Sequence, residues 1–154
     1  MATAIAIISF TLAAGLAVAA AIEDTRTHLL RNIYTLPIIA IALTGLPAAS
    51  VFDNQTIRST LTDMAIGAAC FAGPWIITHL IAPKQIGFGD IKLSIGLGLH
   101  LGWLNPSLGL VGFFLASIVF GIGSWISARS TRDPLPFGPA LVAGAVATAL
   151  AGLL

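Results

Sequence analysis

Residues 2–22 read ATAIAIISFTLAAGLAVAAAI, and Glu23-Asp24 closes the run. An uncharged stretch of this length matches the ~20 helical residues that cross a ~30 Å hydrocarbon layer. No Lys or Arg precedes it, whereas Arg26 and Arg31 follow it. A secretory signal has the opposite polarity, so Ala19-Ala20-Ala21 reads as part of a retained transmembrane helix and not as a cleavage site.

The rest of the chain repeats the pattern. Of 154 residues 57% are hydrophobic and 8% charged, and the mean hydropathy is +0.99; soluble domains carry ~25% charged residues. A soluble core of this size could not hide so much apolar surface, but lipid can solvate it. Further apolar runs at 33–51, 62–82, 91–104, 106–128 and 136–154 complete six expected spans. The fold class expected is therefore all-α: a polytopic membrane protein, a compact six-helix bundle, one domain over residues 1–154. Backbone groups in lipid must be satisfied within the segment, and the residues do not alternate as barrel strands do. The fourth run is short and is expected to begin inside the membrane or lean against its neighbours. Asn105-Pro106 predicts the turn after it, and Gly73-Pro74 a kink in the third helix.

Orientation follows from the basic residues. Arg26, Arg31, Lys84, Lys92, Arg129 and Arg132 fall on one side of a six-span chain and only Arg58 on the other. The positive-inside rule makes the first side cytoplasmic and puts both termini outside. The net charge of +1 gives no indication of a nucleic-acid partner. Cys70 is the only cysteine, so no disulfide framework and no cysteine metal site can form, and it reads as a packing residue. No metal or other cofactor is expected.

Small residues mark where helices approach closely: Gly98 with Gly102, Ser117 with Gly121, Gly123 with Ser127, and the series Ala140, Gly144, Thr148, Gly152. Trp75, Trp103 and Trp125 read as packing or interface anchors.

The chemistry-bearing residues are the acids. The topology puts Glu23, Asp24, Asp90 and Asp133 on the cytoplasmic side, with Asp53 and Asp63 outside. Asp24 closes the first helix and Asp90 opens the fourth, within Gly87-Phe88-Gly89-Asp90-Ile91-Lys92. An ionisable residue at the edge of an apolar run is a functional candidate by default. Two glycines one residue apart leave the backbone before it free to take φ > 0 and let another chain approach. By itself G-x-G-D is a weak signal.

Were the two helix ends to meet, Asp24 and Asp90 would share a proton, one acting as base and the other as acid. Such a pair can activate water against a peptide carbonyl and protonate the leaving nitrogen. Arg26 and Lys92 stand two residues beyond their aspartates, on other helix faces, and can reach headgroups without quenching the carboxylates. The competing reading makes both acids interfacial charges that end two helices. No G-x-S-x-G elbow, Cys–His pair or H-E-x-x-H motif offers a rival nucleophile or zinc site. Glu23, Asp53, Asp63 and Asp133 read as solvated or headgroup-level charges, and Asn32 as the cap of the second helix.

Three ordered segments resemble those of the type IV prepilin peptidases, intramembrane aspartyl proteases. Gly87-Phe88-Gly89-Asp90-Ile91-Lys92-Leu93 resembles the family's G-x-G-D-(I/V)-K-L motif. Asp24-Thr25-Arg26 leading to Leu30-Arg31-Asn32 resembles D-x-R-x-x-x-I-P-N, with Leu30 and Arg31 where the family has Ile and Pro. Leu135-Pro136-Phe137-Gly138-Pro139-Ala140 resembles the I-P-F-G-P segment before the last helix, where Pro139 suits a first turn. The resemblance implies a six-helix core with Asp24 and Asp90 catalytic and Gly87, Phe88, Gly89 and Lys92 contacting substrate. The Gly87–Gly89 backbone would hold the substrate by strand-like hydrogen bonds.

The implied substrate is a pilin-like precursor with a short basic leader before a hydrophobic helix. It would be cut after a glycine at the cytoplasmic face of the cell membrane. Bifunctional members that also N-methylate the product carry paired C-x-x-C motifs, which one cysteine cannot supply. The resemblance is thus to the short, peptidase-only type of Tad/Flp or preflagellin systems. Besides precursor and lipid bilayer, a homo-oligomer is left open as a partner. Two readings from other classes remain: an inactive relative serving as a pilus-assembly subunit, and a small transporter with His79 and His100 as its candidates. For packing, His100 reads as a hydrogen-bonded interior histidine and His79 as an interfacial one.

Overall fold

The computed structural model describes residues 1–83, 85–130 and 136–152, without the side chains of 128–130. Lys84, Arg132, Asp133, Leu135 and the Arg129 side chain, on which part of the charge and motif reading rests, lie outside the described residues. Six α-helices follow in order: α1 Ala2–Thr27, α2 Asn32–Phe52, α3 Ile57–Ile81, α4 Phe88–Leu104, α5 Leu108–Ser130 and α6 Gly138–Gly152. The described residues contain no strand.

Each helix overlaps an expected span, but the ends differ. α1 runs past Glu23-Asp24 because the intrahelical ladder continues until His28 turns left-handed at φ 52° and returns its N–H to the Asp24 carbonyl. α5 starts later than expected because Asn105 accepts bonds from the Ser107 amide (3.0 Å) and hydroxyl (2.7 Å), which makes the turn that the Asn-Pro pair predicts. α3 passes through Pro74 unbroken, and the Thr78 hydroxyl donates to the Pro74 carbonyl. Of the six helices, α1, α2, α3 and α5 are long and apolar enough to cross a membrane, while α4 and α6 are shorter.

The short fourth helix is the centre of the bundle. α4 packs against α2, α3, α5 and α6, most extensively against α3. From Gly96 to Gly102 every residue is buried. A helix apolar on all sides belongs in an interior. Glycine makes this possible: a Cβ on Gly98 would lie 2.7 Å from the Ala68 Cα, and one on Gly102 would lie 2.8 Å from the Met64 Cα. The small-residue reading therefore holds for Gly98, Gly102 and Gly144, whose Cβ would meet Ala116. It fails for Gly121, which has open space where a side chain would go.

Around this core, Ile7, Ile8, Leu12, Ile77, Phe114, Ile118 and Ile122 stand exposed. An outer apolar belt of this extent needs lipid as its solvent. Several polar residues inside the helices are satisfied within the bundle, although Thr35 Oγ1 and Trp75 Nε1 are buried without a partner among the described residues. Ser9, Thr44, Ser117 and Thr148 bond to the carbonyl four residues back, and Trp103 donates to the Ser50 hydroxyl.

Candidate active site

Two close approaches bring the end of α1 to the start of α4. The first is at Gly89. A Cβ there would sit 2.7 Å from the Leu30 Cβ and 2.8 Å from the Leu30 carbonyl oxygen. Only a residue without a side chain lets the α1–α2 connection lie on the first turn of α4. The second is a hydrogen bond of 2.8 Å from Lys92 Nζ to Asn32 Oδ1, which ties α4 to the start of α2. Lys92 also lies 4.9 Å from the centroid of the Phe88 ring.

These contacts correct three expectations. Gly87 does not use its freedom: its φ is −71°, and no described glycine has positive φ. The Gly87–Gly89 segment is not strand-like, because Gly89 is already helical and the Gly87 amide is spent on Asp90. Asn32 does not cap α2, since Arg31 holds that position and Asn32 faces Lys92 instead. Lys92 is partly exposed and bonds to the exposed Asn32, not to either carboxylate.

Asp24 lies in the last turn of α1 and is 5% exposed. Its Oδ2 accepts a hydrogen bond of 2.8 Å from the amide of Gly138, the first residue of α6. A Cβ on Gly138 would come within 2.9 Å of that oxygen. Reading the sequence identified the Gly138-Pro139 segment as a helix start but missed that its amide orients Asp24. The available signal was the glycine placed directly before a first-turn proline.

Asp90 is the third residue of α4 and is half-buried. Its Oδ2 accepts from the Gly87 amide at 3.1 Å, which caps the start of α4, while its buried Oδ1 has no partner among the described residues. The two carboxyl groups are near enough to interact electrostatically. Phe88, 62% exposed, opens α4 two residues before Asp90, with its ring near His79 and Lys92.

Around this pair, Glu23 is not merely solvated. It takes Arg31 at 3.5 Å. His79 lies against the α3–α4 connection, where its Nδ1 meets the Ile86 carbonyl at 2.8 Å. His100 is buried, with Nδ1 on the Gly96 carbonyl at 2.8 Å.

Fold and site together define a class: a polytopic helical membrane bundle with two acids from distant helices at one end of its core. Residues 10–126 match the model of the type IV leader peptidase family, and the chain belongs to that family. It is 30% identical over 131 residues to the prepilin leader peptidase/N-methyltransferase of Escherichia coli K12, covering 80% of this chain and 54% of the relative. To the enzyme of the same name from Dickeya chrysanthemi it is 31% identical over 153 residues, 95% of this chain and 52% of the relative. To that from Burkholderia pseudomallei 1026b it is 37% identical over 79 residues, 51% and 26% respectively. The matches to these three thus span from about a quarter to about half of the relatives' length. No solved structure matches.

Proposed function

We propose that the chain is an intramembrane aspartyl endopeptidase that removes the leader from pilin-like precursors, with Asp24 and Asp90 as its catalytic pair. The observation that carries this reading is that the two carboxyl groups lie within electrostatic reach of each other at one end of the bundle, with Asp90 Oδ1 unpartnered among the described residues. The pair holds one proton. Its ionised member takes a proton from water as the water oxygen attacks the scissile carbonyl carbon. Its protonated member then gives a proton to the leaving nitrogen as the C–N bond breaks, so the pair again holds one proton.

A peptide bond inside a helix hides its carbonyl in the ladder, so the substrate has to be unwound at the cut. The first-turn amides of α4, at Phe88 and Gly89, have no acceptor within their own helix and can take the freed carbonyl oxygen. Gly87 and the exposed Phe88 ring face the substrate, while Gly89 and Lys92 act through Leu30 and Asn32 to hold that turn in place. The cut falls after a glycine at the cytoplasmic face of the cell membrane, and the precursor's hydrophobic helix stays in the bilayer. The single cysteine of the chain favours peptidase activity without N-methyl transfer.

The test is co-expression with a pilin-like precursor, with leader loss followed by mass. Cleavage that disappears in both Asp24→Asn and Asp90→Asn supports the pair. Cleavage that survives either change refutes it, and no cleavage by the parent protein favours an assembly subunit or transporter.

A further inference from the structure

α1 and α6 meet at the Asp24–Gly138 hydrogen bond. Farther along both helices they leave a groove of about 380 Å³, with α4 beneath it. Its walls carry Ala13, Ala14 and Ala17 on one side and Ala145 and Ala149 on the other, with Phe10, Thr11, Val146 and Leu150 toward one end. Small residues of this kind let a further helix approach backbone to backbone.

The groove is not wholly apolar. His100 of α4 lines it and is 4% exposed. Its Nδ1 faces the Gly96 carbonyl, which can only accept, so in the neutral ring Nδ1 carries the proton and Nε2 is left as an acceptor. That Nε2 has no partner among the described residues. A buried acceptor without a donor costs about 1–3 kcal/mol. A lipid acyl chain can fill the groove but has no donor to offer.

We propose that this groove seats the apolar transmembrane helix of the substrate, with His100 accepting a hydrogen bond from a hydroxyl or amide side chain on that helix. The inference rests on the peptidase reading for the identity of the helix, and it adds a binding site and a specificity contact to it. The placement fits, because the groove begins at Ala17, seven residues or about 10 Å from Asp24 along α1, and runs away from it toward Phe10. His100 lies ten residues beyond Asp90 on α4, roughly 15 Å at 1.5 Å per residue. The donor then falls about six to ten residues past the cut, depending on how much of the substrate is extended.

One experiment leaves catalysis out. Asp90→Asn protein in nanodiscs carries a photo-crosslinking phenylalanine at position 14 or 146 in the groove, or at 118 on α5 outside it. The probe is a synthetic precursor with a short basic leader, a glycine, and a leucine-alanine helix bearing one serine. Adducts to the precursor's helix at 14 and 146, and few at 118, are expected. Lipid adducts alone in the groove, or equal precursor adducts at 118, overturn the proposal.

A second experiment uses active protein and moves the serine through positions six to ten after the cut. At one helical register kcat/KM should rise about three- to tenfold over a serine-free helix, the yield of one membrane hydrogen bond. His100→Leu should erase that preference while the serine-free helix is still cut. No preference at any position, or a preference that survives His100→Leu, overturns the histidine contact. Groove adducts without any cleavage by the active protein would sustain the groove and sink the peptidase reading alone.

Discussion

Gly138 supplies the amide that orients Asp24, and a methyl group there would press on the Asp24 carboxyl oxygen. Gly138→Ala is therefore expected to lower leader cleavage at least tenfold while the bundle stays folded, as thermal unfolding in detergent would check. Wild-type rates in that variant would remove Gly138 from the site. Arg31 gives the opposite expectation. It stands where the family carries proline, yet its φ of −79° already suits a proline, and Glu23 at 3.5 Å ties it across the same turn. Arg31→Pro exchanges an exposed pair worth about 0–1 kcal/mol for about 0.4–1 kcal/mol of lost unfolded-chain entropy. The net change in stability should be near zero and cleavage should persist; a large loss of either would mean the arginine has a further task.

At the scale of elements the α3–α4 seam holds the centre of the bundle. Gly98 lies against the Ala68 Cα with no room for a side chain, whereas Gly121 on α5 has open space. Gly98→Leu should destabilise the bundle by about 1–3 kcal/mol or more through overpacking. Gly121→Leu should be nearly neutral. Reversible unfolding in mixed micelles would compare them, and equal effects would contradict the packing described. The link between α4 and α2 is weaker. Lys92→Met and Asn32→Ala, taken singly and together, should show a coupling of about 1 kcal/mol in a double-mutant cycle. A cleavage rate that falls in step with that coupling would show that the clasp positions Asp90.

For the whole molecule the expectation is orientation. If the Asp24–Asp90 end faces the cytoplasm, cysteines placed at His28 and at Asn54, in a Cys70→Ser background, should label from opposite sides of the membrane. His28 should react only after the inner face is opened to the reagent. Both residues are in exposed turns with positive φ, so neither replacement disturbs a core contact. Labelling of both from one side would refute the topology that the basic residues predict.

The number of helices, their approximate bounds and the two candidate acids were legible in the sequence alone. Hydrophobic run length, proline and glycine positions and charge at span edges are local properties, and lipid imposes them on each segment separately. The same holds for the Asn105 turn. What joins distant segments was not legible. Which helices surround the short α4 was not readable from its own residues. Nor was it readable that Gly89 admits Leu30, that Asn32 serves Lys92 and not its own helix, or that the Gly138 amide holds Asp24. Each of these is a choice of partner across the fold. A hydrogen-bonding group or a missing side chain shows that something must approach, while only tertiary packing decides what does.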